Sequence, residues 1–128
     1  MKFNGYHHIG LIVEDAEKSV EFYKKLGAVE TLSFPMGDTG KKIYLADLGG
    51  NAVVEIIPRG NAGEEASARF AHIAIATDDA SAAFDLAVKA GAKPQTEPRD
   101  VTLGAMNARI AFVVGPDKET LEFFQVKS

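Results

Sequence analysis

Cysteine is absent from all 128 residues, which excludes a disulfide framework and any thiolate metal site. Basic charge is also in short supply: 14 Lys and Arg stand against 18 Asp and Glu, a formal net charge of −4, with no basic stripe to offset it. That balance argues against nucleic acid and against anionic membrane as partners. Long apolar runs are missing too, since every run is cut short by charge, Gly or Pro before it could span a bilayer. The N-terminus lacks the charged-then-apolar pattern of a secretory signal. Together these absences lead us to expect a cytoplasmic globular protein of 13.7 kDa. A chain of this size suits one compact domain over residues 1–128, or two small modules sharing a core.

What is present is an ordered succession of patterns. "HHIGLIV" is apolar and β-branched, as in a buried strand, and "EDAEKSVEFYKKLGA" then changes to helical spacing. Asp15 is suited to cap that helix, Ala16, Ser19, Val20, Tyr23 and Leu26 line one face, and Gly27 is placed to end it in a left-handed conformation. Three strand-like pieces follow, "VETLSF", "KKIYLADL" and "NAVVEII", the last two joined by the turn signal "GGN". The segment after them loses its apolar period and reads as a linker over residues 59–68.

The same succession then returns. "RFAHIAIATDDASAAFDLAVKAGAK" is a strand, an acidic cap, an alanine-rich helix and a terminating glycine, followed by the strand candidates "KPQTEP", "NARIAFVV" and "ETLEFFQV", with a "GPDK" turn before the last. His72 follows His8, Asp79 follows Asp15 and Gly91 follows Gly27 by the same 64 positions. Three landmarks at one offset define an internal repeat, with modules over residues 4–58 and 69–126. The expected fold class is α+β, two tandem βαβββ modules forming a curved mixed sheet, each helix covering one face of its own strands.

Side chains alternate along a strand, so His8, Gly10 and Ile12 share one face while His7, Ile9, Leu11 and Val13 share the other. In the second module His72, Ala74 and Ala76 take the face of His8. The aliphatic face is suited to packing under a helix, whereas His8 and His72 stand beside small residues that leave room. A single histidine in an apolar strand is ordinarily a satisfied core residue; equivalent placement in both modules argues for function. Glu55 in "NAVVEII" and Glu122 in "ETLEFFQV" are carboxylates in apolar strands, and a buried carboxylate needs a partner, a cation or solvent. Two histidines and two carboxylates without sulfur suit a divalent ion such as Ni, Co, Mn, Fe or Zn, and ligand type does not choose among them.

With these residues in view, the chain resembles the vicinal oxygen chelate superfamily (glyoxalase, bleomycin-resistance and extradiol-dioxygenase proteins) over roughly residues 4–126. "HHIGLIVED" with "SVEFYKKLGA", "AHIAIATDD" with "AGAKP", and "GPDKETLEFF" carry the likeness. The resemblance implies paired βαβββ modules around a metal cavity, with metal ligands His8, Glu55, His72 and Glu122, but not His7. The four-ligand set is most similar to that of the bacterial glyoxalase I, or lactoylglutathione lyase, group. It thus implies a lyase or isomerase that shifts a proton on the metal-chelated hemithioacetal of a 2-oxoaldehyde. In that role Glu122 would move the proton and Glu55 would serve the opposite face.

Glutathione-using relatives carry an arginine where this chain has Ile12, so a glutathione adduct needs another anchor; Arg59, Arg69 and Arg109 are the candidates, each also readable as a surface charge. Two other readings stay open. One is an acyl-thioester epimerase of the same superfamily, although these often have glutamine where Glu55 stands; the other is a non-catalytic small-molecule binding module of the bleomycin-resistance kind. The resemblance also implies a homodimer.

Overall fold

The computed structural model describes residues 1–25, 27–60, 69–115 and 119–128, and of Arg69 only the backbone. Leu26, residues 61–68 of the expected linker and three residues of the "GPDK" turn lie outside the described residues. The order is β1 (Phe3–Val13), α1 (Ala16–Lys25), β2 (Val29–Pro35), β3 (Lys42–Asp47), β4 (Val53–Pro58), β5 (Arg69–Thr77), α2 (Ala80–Lys89), β6 (Lys93–Leu103), β7 (Met106–Val114) and β8 (Thr120–Val126). This is an α+β chain built as βαβββ twice.

The chain divides into two compact units. One comprises residues His8–Ala71, with strand order β2-β3-β4-β1. β1 and β4 run parallel with Ile9 opposite Val54 and Gly10 opposite Glu55, while β2/β3 and β3/β4 are antiparallel. Parallel neighbours need a crossover, and α1 is part of it. Val13, Ala16, Val20, Ala28, Ala46 and Ile56 form the buried core between α1 and the sheet, joined by Leu11, Tyr23, Tyr44 and Val54. Val20 and Ile56, at 2% and 0% exposure, contribute about 1.5–3 kcal/mol each by burial.

The other unit comprises Met1–His7 and His72–Ser128, with strand order β5-β8-β7-β6. Here β5 and β8 are the parallel pair, with Ala74 opposite Glu122. Two cores form on its two sheet faces. Under α2 lie Ala80, Ala83, Phe84, Ala111, Val113 and Phe123; on the other face lie Ala74, Ala108, Ile110 and Phe124.

The helix boundaries repeat with their chemistry. The Asp15 carboxylate accepts from the Lys18 N–H at 3.1 Å and the Asp79 carboxylate from the Ala82 N–H at 2.9 Å, as N-caps do. At the other ends the Ala28 N–H reaches the Tyr23 carbonyl and the Ala92 N–H the Ala87 carbonyl, both at 3.0 Å. Gly27 and Gly91 supply the left-handed φ of 103° and 117° that this closing turn requires.

One strand departs from simple alternation. Phe3 and His7 would share a face in a regular strand, yet Phe3 stacks on Phe123 and His7 on Phe124, which are successive residues of β8 and so face opposite ways. The break falls at Gly5, whose φ is +78°. In consequence His7 lies against Phe124, not on the helix-packing face expected for it.

Candidate functional site

Each unit holds one buried histidine–carboxylate pair, built in the same way. In His8–Ala71, Gly10 of β1 is directly opposite Glu55 of β4, so His8, two residues earlier on the same face, reaches the carboxylate diagonally. His8 Nε2 lies 3.5 Å from Glu55 Oε1. In the other unit Ala74 is opposite Glu122, and His72, again two residues earlier, brings Nε2 to 3.1 Å from Glu122 Oε1. Small residues at Gly10 and Ala74 leave the diagonal open, as the sequence led us to expect.

Burial makes these pairs unusual. His8 is 2% exposed, Glu55 8% and Glu122 4%. Removing an ionised carboxylate from water costs several kcal/mol of order unless a cation, hydrogen bonds or a metal compensate it. Both carboxylates point away from the helix-covered face, since their neighbours Ile56 and Phe123 are the ones packed under α1 and α2. Their cross-strand neighbours on that face are apolar. Leu45 stands directly across from Glu55, and Phe112 directly across from Glu122.

The three candidate arginines part company. Arg59 continues the alternation of Glu55 and Ile57, and its backbone extends the ladder, donating to the Val13 carbonyl at 2.9 Å and accepting from Lys41 Nζ at 2.6 Å. At 9% exposure it is buried, which a surface-charge reading of the sequence does not anticipate. Arg109 projects to the α2 side, where it makes a two-pronged bond to Asp100 at 2.9 and 3.1 Å and a third to Ser81 at 3.1 Å. That guanidinium holds the Asp100 carboxyl down at about 2. Arg109 therefore lies on the opposite face of its sheet from Glu122. The Arg69 side chain lies outside the described residues.

Ile12, on the His8 face, is half-buried. A concavity of about 670 Å³ opens at the start of α1, lined by Val13, Asp15, Lys18, Lys41 and Pro58 among others. It contains neither member of the His8–Glu55 pair.

Leu45 and Phe112 were not singled out by the sequence reading, yet a signal for them exists. The later strands repeat at an offset of 67, which relates Glu55 to Glu122, Leu45 to Phe112 and Ile57 to Phe124. Three extra residues in the second module, whose β6 is longer than β2, separate this offset from the 64 of the histidines, caps and glycines.

The fold and the repeated pairs define a class. The chain belongs to the Glyoxalase/Bleomycin resistance protein/Dioxygenase superfamily, whose sequence profile matches residues 5–123. It is 32% identical over 122 residues to the uncharacterized protein YwbC of Bacillus subtilis (strain 168), covering 92% of this chain and 94% of that protein. Methylmalonyl-CoA epimerase from Mycobacterium tuberculosis superposes with a TM-score of 0.79 at 21% identity, over 98% of this chain and 90% of that one. A Streptomyces coelicolor methylmalonyl-CoA epimerase variant in complex with 2-nitronate-propionyl-CoA gives 0.78 at 19% identity, over 99% and 100%. At these identities the likeness to the two epimerases is one of fold.

Proposed function

We propose that the protein is a metal-dependent isomerase that moves a proton next to the carbonyl of an acyl thioester, in the manner of an epimerase. The observation that carries the reading is the repetition of a buried histidine–glutamate pair, His8 with Glu55 and His72 with Glu122, in identical strand register. One such pair is an ordinary core feature; two on a repeat are a ligand set. Imidazole and carboxylate donors without sulfur suit Ni, Co, Mn, Fe or Zn. The depth of Glu55 and Glu122 also fits, because a cation offsets their burial.

A divalent ion bound there supplies Lewis acidity to the substrate's oxygens. The chain supplies the bases. Glu122 takes the proton from the carbon and Glu55 returns one from the opposite side, which inverts the centre in an epimerisation. The apolar neighbours Leu45, Phe112 and Phe124 keep bulk water from the carboxylates.

The epimerase reading is preferred over the glyoxalase I reading on two grounds: the solved relatives that share the fold include epimerases, and Ile12 is apolar where a glutathione carboxylate would need a cation. Glu55 itself favours the second reading, a lactoylglutathione lyase acting on a hemithioacetal, with buried Arg59 as the replacement anchor.

Deuterium incorporation separates them. Incubation in deuterated buffer with Ni or Co and a 2-substituted acyl-CoA should wash the α-proton out, and Glu122→Gln should abolish this. Turnover of methylglyoxal plus glutathione with no exchange in the acyl-CoA would establish the second reading. A well-folded protein that takes up none of the five metals would sink both and leave a non-catalytic binding module.

A further inference from the structure

The ring of Phe112 borders both members of the second pair. It stands directly across the β7/β8 ladder from Glu122 and meets the His72 imidazole edge-to-face, with centroids 5.8 Å apart and planes at 82°. Phe112 is held in turn by the cluster of Ala74, Ile110 and Phe124. In the first module the same position, 67 residues earlier, is Leu45, directly across from Glu55 and 5% exposed. Leucine fills that space but has no ring face to offer.

The torsion that turns an imidazole about its Cβ–Cγ bond is broad and nearly two-fold, so packing alone leaves the ring plane weakly set. An edge-to-face aromatic contact prefers one arrangement and narrows that torsion. A turned ring would take Nε2 away from Glu122. We propose that Phe112 is the positioning residue of the second pair, fixing the His72 ring plane so that Nε2 stays aimed at Glu122, a role Leu45 does not perform for His8. The proposal rests on the reading of His72 and Glu122 as metal ligands only for its effect on affinity; the effect on the ring is independent of metal. The two pairs thus differ in the side chain across the ladder, Leu45 or Phe112, although they repeat in register.

The test uses the full chain, with long-range proton–nitrogen NMR of the histidine rings in metal-free protein and a competitive titration with Zn. In the parent protein His72 should give one sharp tautomer. Phe112→Leu should broaden or mix the His72 signals while leaving those of His8 in place, and should weaken Zn affinity on the order of tenfold, as loss of an outer-sphere partner does. Phe112→Tyr, which keeps the ring, should restore both. Should leucine not be accommodated, Phe112→Met, also ringless, carries the same comparison. An unchanged His72 tautomer and unchanged Zn affinity in a folded ringless variant would overturn the proposal. A parent protein that takes up no metal would refute the metal reading, and the NMR comparison would still decide the role of Phe112.

Discussion

His8 is 2% exposed with Nε2 turned to Glu55, whereas the ring of His7 lies 3.9 Å above that of Phe124, nearly parallel to it at 22°. Neighbours in sequence thus have different surroundings. His8→Ala should weaken metal binding by more than the ~10–100-fold that loss of an outer-sphere partner costs, because a proposed ligand is removed outright. His7→Ala should leave metal affinity in place and cost about 0.5–1.5 kcal/mol of stability, the worth of an aromatic stack. Equal losses of affinity in the two, measured by competitive titration, would overturn the assignment of His8. That the two differ was legible in the sequence, since the repeat aligns His8 with His72 and His7 with Ala71. The surroundings of His7 were not legible, because alternation counted through Gly5 takes no account of a left-handed residue. Nor was the burial of Arg59. Whether a charged residue just past a strand faces solvent depends on what extends the ladder beside it, here a bond to Val13.

At the scale of elements, the helices were the most legible part, because caps and closing glycines are local chemistry: Asp15, Asp79, Gly27 and Gly91 each do what their type dictates. Strand extent was less so. β6 runs to Leu103, well past the "KPQTEP" pattern, and is stepped by two register shifts against β7. Its pairing, not its hydrophobicity, sets its length. Gly5 offers a test of how β1 is built. A Cβ there would meet nothing within 4 Å, so Gly5→Ala isolates backbone strain from packing. We expect it to cost about 1–2 kcal/mol in denaturant unfolding, the penalty of the left-handed region for an L residue; a neutral result would mean that β1 can regain regular alternation at no cost.

The docking of α1 can be read by titration. The Tyr44 hydroxyl donates to Glu17 of α1 at 2.7 Å, and this bond to a carboxylate raises the phenol from 10.0 to about 12. Because the folded value lies above the unfolded one, the bond's contribution is complete below pH 10 and is lost as pH rises from there toward 12. Absorbance titration should find Tyr44 ionising near 12 in the parent and lower in Glu17→Ala.

For the molecule as a whole, the repeat sets up a choice that stoichiometry decides. Each compact unit owns a complete histidine–carboxylate pair, so two independent two-ligand sites or one four-ligand site are the alternatives. Two protein donors are a weak hold on a divalent ion, and four are a strong one that still leaves positions for a substrate. We therefore expect one ion per chain by elemental analysis; the homodimer proposed from the family resemblance alone would show as twice 13.7 kDa by light scattering. Among the described residues no helix is long and apolar enough to cross a membrane. If the pairs act together, His8→Ala and His72→Ala should each remove the single ion, and the double variant should lose no more than either. Saturating metal at 100 times its dissociation constant should stabilise the parent by about 2.7 kcal/mol and both single variants by far less. Two ions per chain, with one lost in each single variant, would show instead that the modules bind separately, and the shared chemistry proposed for Glu55 and Glu122 would fall with that result.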